Sequence, residues 1–126
     1  MKKTTKKKEY VYLVGHGGPE HNLVFSVHKS HNGALKAWNK LRMSLLKEVQ
    51  HGLQRSKEDS KRKLKEGKWY DNKPFTQENI DYFKEIAEKG DEMYLEMIEK
   101  LSCEDPEKID NYPHDTPYIE KHKVEN

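Results

Sequence analysis

Four histidines, His16, His21, His28 and His31, fall close together near the N-terminus. A structural zinc site needs three or four ligands at about 2.0–2.3 Å, and its ligands usually occur in short paired spacings. These histidines instead lie on either side of a predicted hairpin, so nothing in their spacing enforces convergence. A metal-dependent enzyme that uses the hairpin histidines is therefore a weaker hypothesis than the two non-catalytic functions considered below. The sequence predicts no catalytic residue, no bound metal and no cofactor.

A glycine-rich loop follows the first predicted strand and contains His16-Gly17-Gly18. Consecutive glycines can expose backbone N–H groups, which together cradle a phosphate or a carboxylate. The chain has no G-x-x-x-x-G-K-[ST] loop, no G-x-G-x-x-G turn and no G-x-S-x-G elbow. Two interpretations stay open. The loop is a plain hairpin tip, or it belongs to a non-catalytic site for an anionic nucleotide, formed by His16, Gly17, Gly18, His21, Lys29, His31, Trp38 and Arg42.

A second candidate surface combines basic and aromatic residues in the middle of the chain. Trp69 and Tyr70 form an apolar pair inside a basic connection. They either fold back on the helix ends or contact a partner or a stacked base. The predicted partner-binding residues are Arg55, Arg62, Lys63, Lys65, Lys68, Trp69 and Tyr70.

The charge is divided unevenly along the chain. Residues 1–75 hold 18 basic and 7 acidic residues, a charge of +11, whereas residues 76–126 hold 6 and 15, a charge of −9. A basic half can bind nucleic acid, but the acidic half would repel a polyanion. The split therefore favours charge complementarity, within one chain or between copies, over nucleic-acid binding.

Two strands and a long helix are predicted from residue 10 onward. Residues 10–14 are rich in aromatic and β-branched types, and Leu23, Phe25 and Val27 alternate with three other residues, as in a half-buried strand. After residue 33 the apolar spacing changes to that of one helix face, at Trp38, Leu41, Leu45, Leu46, Val49 and Leu53.

The second half of the chain predicts a capped helix and an edge strand. Thr76 is a good N-cap, and Gly90 lies on the apolar stripe of the helix that follows, where it would permit a close helix–helix approach. The charged residues near 118–124 predict an edge strand, whose lysines would oppose pairing with another chain. The predicted fold is α+β, with order β-β-α-α-β: a small antiparallel sheet packed against a long antiparallel helical hairpin over about residues 32–101. We expect residues 1–8 to form a disordered basic arm and residues 9–126 to form a single domain.

Composition restricts the setting of the protein. Of 126 residues, 33% are hydrophobic and 37% are charged, and Cys103 is the single cysteine. One cysteine excludes an internal disulfide framework and fits a reducing compartment. No apolar run reaches the roughly 18–20 residues that a membrane span needs. We expect a cytoplasmic protein, and the surplus length of the predicted helices favours a homo-oligomer or a protein partner.

Three segments, Tyr10-Val11-Tyr12-Leu13-Val14, Leu23-Val24-Phe25-Ser26 and Ala34-Leu35-Lys36-Ala37-Trp38, resemble a pattern in small phage-encoded accessory proteins. In those proteins a strand ending in Phe-Ser passes to a helix with an Ala-Leu or Ala-Glu start. The resemblance implies a host-takeover or counter-defence protein that acts in the host cytoplasm. Many such proteins inhibit a host protein, and some sequester nucleotide immune signals.

Two functions follow as the main hypotheses. The first is a non-catalytic interaction protein that binds and inhibits a host factor, for example one of immune defence. The second is an oligomeric sponge that encloses an anionic nucleotide signal without cleaving it.

Overall fold

A computed structural model describes residues 9–17, 22–110 and 116–124 of the chain. The basic arm predicted over residues 1–8 lies outside these ranges. The elements are, in order, β1 (Tyr10–Gly17), β2 (Asn22–His28), α1 (His31–Glu66), α2 (Gln77–Leu101) and β3 (Pro117–Lys123). The predicted α+β fold and its element order are confirmed.

The three strands form one antiparallel sheet with the order β2-β1-β3. β1 is central, so β2 and β3 are edges. β3 carries Glu120, Lys121 and Lys123, in agreement with the predicted lysine-blunted edge strand. The backbone N–H of Val124 donates to the carbonyl of Glu9 and extends the pairing beyond the strand ends.

Contacts group the chain into two compact units, Met1–Ser44 with Cys103–Asn126, and Leu45–Ser102. The sequence predicts a single domain over residues 9–126, and this stays a prediction. The first unit contains the sheet and the beginning of α1. Its core forms where Trp38 and Ala34, on one face of α1, pack with Val14 and Ile109. Trp38 is fully buried, and its Nε1–H donates to the carbonyl of Pro117 at 2.9 Å, which ties the helix to the start of β3.

β2 presents to the core a face that its apolar alternation does not predict. Phe25 and Val27 are each 59% exposed, whereas Ser26 and His28 are half-buried. The register explains this, because Ser26 lies opposite the buried Val14. Between Val14 and Gly15 the register shifts, and Phe25 becomes the extra residue of a β-bulge. Val24, Phe25 and Val27 of β2 therefore lie largely in solvent.

The second unit contains an antiparallel helical hairpin. Gly52 of α1 lies against Tyr94 of α2, and Lys63 lies over the ring of Phe83. Later residues of α1 thus contact earlier residues of α2, which shows that the helices are antiparallel. Thr76 caps α2 as predicted: its Oγ1 accepts from the N–H of Asn79, while Asn79 Oδ1 accepts from the N–H of Thr76.

The close approach within this hairpin occurs at a glycine other than the predicted one. A Cβ placed on Gly90 would meet nothing within 4 Å, so the proposed role of Gly90 in helix contact is wrong. A Cβ placed on Gly52 would lie 2.8 Å from Cε1 of Tyr94. α1 thus supplies the small residue that the two helices need.

No helix among the residues that the structure describes combines the length and the apolar composition needed to cross a membrane.

Candidate functional site

The glycine-rich segment lies mainly in a strand and not in a loop. β1 extends through Gly15, His16 and Gly17, and these residues pair with β2 on one side. Gly15 and His16 also pair with Tyr118 and Pro117 of β3 on the other side. A nest needs successive N–H groups turned toward one point, whereas an extended strand turns them alternately to its two neighbours. The sequence predicts a loop over residues 15–22, but residues 15–17 belong to β1 and Asn22 begins β2. Gly18 and His21 lie outside the described residues.

Three of the four clustered histidines, His16, His28 and His31, lie among the residues that the structure describes. His28 Nε2 lies 2.7 Å from the hydroxyl of Ser26, two residues earlier on the same strand. His31 is the exposed first residue of α1 and makes an edge-to-face contact with Tyr12, with ring centroids 5.6 Å apart. His16 is half-buried in β1. Within the described ranges, no three His, Cys, Asp or Glu side chains are grouped so as to hold a metal ion.

Trp38 and Arg42, two residues of the hypothetical nucleotide site, are brought together in the interior. Arg42 is 4% exposed, and its guanidinium carbon lies 5.6 Å from the centre of the Trp38 ring. Its Nε and Nη2 donate to Oδ1 of Asn39 at 3.2 and 2.7 Å. Because Trp38 is fully buried, its ring has no free face on which a base could stack. The alternative interpretation of Trp38, as a packing residue, is the one observed.

Lys29, the remaining member of that site, is exposed between β2 and α1. Of the eight residues predicted for the nucleotide site, the described contacts join Trp38 with Arg42. The sponge hypothesis stays a prediction that none of the described contacts favours.

The connection between the helices, which we call the hairpin turn (residues 67–75), has a closed backbone hydrogen-bond pattern. Trp69 N–H donates to the carbonyl of Lys73 at 2.9 Å, Asn72 N–H donates to Trp69 at 3.0 Å, and Phe75 N–H donates to Gly67 at 2.7 Å. Gly67 and Asn72 take positive φ angles of 65° and 64°, which suit a glycine after a helix and an asparagine in a tight turn. These bonds give the turn a defined shape.

Trp69 anchors the hairpin turn to α2. Its ring lies 4.9 Å from Phe75 and 5.3 Å from Phe83, measured between centroids. Its Nε1–H donates to Oδ1 of Asn79 at 3.2 Å. One member of the aromatic pair therefore folds back on the helix end, as the first of the two predicted alternatives requires.

Tyr70 takes the opposite orientation and is 94% exposed. Lys63, in the last turn of α1, places its Nζ 4.4 Å from the Tyr70 ring centroid and 3.3 Å from the phenolic oxygen. The same ammonium lies 5.5 Å from the Phe83 ring. A cation–π contact of this kind is worth about 0.5–1 kcal/mol at an exposed site. Lys63 thus contacts both the exposed Tyr70 ring and the Phe83 ring, against which Trp69 packs.

The remaining predicted partner-binding residues are exposed and lie on α1 or the turn: Arg55, Arg62, Lys65 and Lys68. Arg62 is paired with Asp59 in the same helix. Arg55 precedes Lys63 by eight residues, about 12 Å along the helix axis. Arg55 is therefore the member of the set most distant from the turn along α1.

Two features of the hairpin escaped sequence reasoning. Gly52, Ser56 and Ser60 recur every fourth residue on α1, and with Tyr94 of α2 they line a shallow groove. Small residues at every fourth position indicate a close helix contact. This part of α1 has no apolar stripe, so a search for apolar spacing does not find them. On α2, Tyr82, Ile86 and Met93 are 59%, 47% and 72% exposed. These residues lie beside the stripe that packs, so a search for the core alone passes over them.

Comparisons with family models, with curated proteins and with solved structures find no match to this chain.

Proposed function

We propose that the chain is a non-catalytic interaction protein that binds and inhibits an acidic protein of a host cell through the hairpin turn. The observation that carries the proposal is Tyr70, which is 94% exposed on a turn of defined shape. Exposing a large aromatic side chain gives the isolated protein little, whereas aromatic residues held in place are frequent anchors of protein interfaces.

The anchor is already ordered before a partner binds. Trp69 packs on two phenylalanines and donates to Asn79, so the turn carrying Tyr70 is attached to α2. Lys63 restrains the Tyr70 ring. A preordered anchor loses less side-chain entropy on binding, a cost of about 0.5–1.5 kcal/mol for a mobile side chain.

The charge around the anchor indicates the chemistry of the partner. α1 carries ten basic and four acidic residues, and Arg62, Lys63 and Lys65 fall in its last two turns. Lys68 continues this charge into the turn. An acidic surface on the partner would speed encounter and fix orientation. The resemblance of the strand and helix residues to phage accessory proteins supports a host factor, and the host cytoplasm as the place of action.

The proposal can be tested by placing a photoreactive benzoylphenylalanine at Tyr70 and, as a matched control, at Tyr10. Both tyrosines lie under a lysine, with Lys121 Nζ 4.1 Å from the Tyr10 ring, but Tyr10 belongs to the sheet. After irradiation in a bacterial lysate, we expect a discrete protein adduct at position 70 and none at position 10. Adducts that are equal at both positions contradict the assigned surface.

The adduct partner, once purified, gives the quantitative test. Tyr70→Ala should weaken its binding by about 30-fold or more, the loss of a contact worth about 2 kcal/mol. Lys68→Glu should weaken it too, whereas Lys121→Glu on β3 should not. Saturating wild-type protein should lower the partner's activity. A partner that binds Tyr70→Ala as tightly as wild type overturns the proposal.

A further inference from the structure

We infer that α2 carries a separate docking surface for a basic amphipathic helix of a partner protein. At 100° per residue, Tyr82, Ile86 and Met93 fall within about 40° of one another around α2. Their exposed fractions are 59%, 47% and 72%. We call these three residues the outer stripe. It is separate from the hairpin turn, and the inference does not depend on the proposed function.

The shape of α2 at this place suits an incoming helix. Gly90 lies between Ile86 and Met93 in sequence, and the space where its Cβ would stand is open to 4 Å. A residue without a side chain beside an apolar stripe lets a second helix approach closely. Apolar side chains at i, i+4 and i+11 match the anchor spacing by which amphipathic helices pack.

The charges beside the outer stripe select a basic occupant. Helical geometry places Glu78, Glu85 and Glu96 about 60–80° to one side of the stripe, and all three are exposed. Met93 itself lines a shallow groove that also contains Glu92, Glu96 and Glu99, together with Lys89 and Leu95. Lys89, close to the stripe, has its Nζ 3.2 Å from Glu85. A helix with leucine-like anchors and lysine or arginine along one border would match both the apolar and the acidic features.

A second copy of the chain is a poorer occupant than such a helix. Its α1 is basic, but across α1, all of which the structure describes, Met43 is the one exposed large hydrophobic residue. A second α2 would bring the same glutamates against those of the first. A basic amphipathic helix of another protein matches both the apolar stripe and the acidic border.

The probe is a fluorescein-labelled designed peptide of about 18 residues, with leucines at i, i+3, i+4 and i+7 and lysines beside them. A peptide with glutamate in place of lysine serves as the charge control. Anisotropy titration of the full chain should give saturable binding of the lysine peptide, weakened as salt rises from about 50 to about 300 mM. The glutamate peptide should not bind.

Variants of the protein locate the site. Met93→Lys should weaken binding of the lysine peptide by at least about tenfold, equivalent to 1.4 kcal/mol. Met43→Lys makes the same chemical change at a methionine that is 55% exposed on α1, and it should leave binding unaltered. The double variant Ile86→Ala, Met93→Ala removes apolar area without adding charge and should also weaken binding. Tyr70→Ala should have no effect, which separates this surface from the proposed function.

Three outcomes overturn the inference. The first is equal loss of binding in Met43→Lys and Met93→Lys. The second is equal binding of the lysine and glutamate peptides. The third is a wild-type dimer in sedimentation that Met93→Lys dissociates, because the stripe is then covered by a second copy.

Discussion

Tyr94 packs directly against Gly52, so that a Cβ on this glycine would lie 2.8 Å from Cε1 of the tyrosine ring. The contact joins the middle of α1 to the last third of α2. Real Cβ atoms do not approach carbon so closely, and the ring would have to move to admit one. The helical hairpin therefore depends on a missing side chain at one position of α1.

Alanine substitutions at the two helical glycines should change stability in opposite directions. Gly90→Ala gains helix propensity without a clash and should raise the free energy of unfolding by about 0.5–1 kcal/mol. Gly52→Ala gains the same propensity but displaces Tyr94, and it should lower the free energy of unfolding. Urea denaturation followed by circular dichroism measures both. If Gly52→Ala stabilises as much as Gly90→Ala, the helices do not meet at Gly52.

Threonine substitutions on the sheet test which residues face the core. Valine and threonine have similar shapes, so the change adds a hydroxyl and removes a methyl group. Val14 is 1% exposed, and Val14→Thr should cost about 1–3 kcal/mol because the hydroxyl is buried. Val27 is 59% exposed, and Val27→Thr should change stability by less than about 0.5 kcal/mol. Equal losses in chemical denaturation would contradict the observed register of β2.

Stability should decline at alkaline pH in part through Tyr118. Burial, with a smaller contribution from the charge of Glu120, raises the pKa of Tyr118 above 10.0. The unfolded chain then releases the phenolic proton at lower pH than the folded chain. The stabilisation that Tyr118 gives the folded state is fully present below pH 10.0, the pKa of an unperturbed tyrosine. It is lost as the pH rises through the pKa of Tyr118 in the folded protein.

Tyr118→Phe should therefore show a shallower fall in the free energy of unfolding between about pH 9.5 and 11 than wild type. Tyr70→Phe, which changes a tyrosine that is 94% exposed, is the control. A Tyr118→Phe curve parallel to that of wild type would remove Tyr118 from the account of alkaline unfolding.

The features predicted correctly from the sequence are those governed by local rules. Thr76 caps α2 because a hydroxyl suits a helix N-terminus wherever it occurs, and Asn79 completes the capping box from three residues away. Trp38 is buried because it stands on an apolar stripe with helical spacing. Glu120 and Lys121 mark an exposed edge strand because charge opposes pairing there. Each of these depends on neighbours within a few residues.

The features that the sequence does not reveal depend on pairing or packing partners that belong to other elements. Phe25 is exposed because the register of β2 shifts against β1, and the alternation of β2 alone cannot reveal a bulge. Gly15 and Gly17 have the composition of a loop, but both pair with β2 and Gly15 also pairs with β3. Gly52 and Gly90 could not be distinguished until the helix partners were known. In the candidate site, the sequence marks Trp69 and Tyr70 as one aromatic pair, whereas the structure shows that Trp69 anchors the turn and Tyr70 lies in solvent.

The bulge at Phe25 also bears on whether β2 can pair with the edge strand of another chain. β2 is an edge strand, and residues 22–28 contain no Asp, Glu, Lys or Arg. An uncharged edge with Val24, Phe25 and Val27 half exposed or more is the kind of template on which chains assemble into fibrils. The extra residue interrupts the even spacing of backbone donors and acceptors that such growth requires. Charged side chains oppose edge-to-edge pairing at β3. β2 has no Asp, Glu, Lys or Arg, and its bulge opposes such pairing instead.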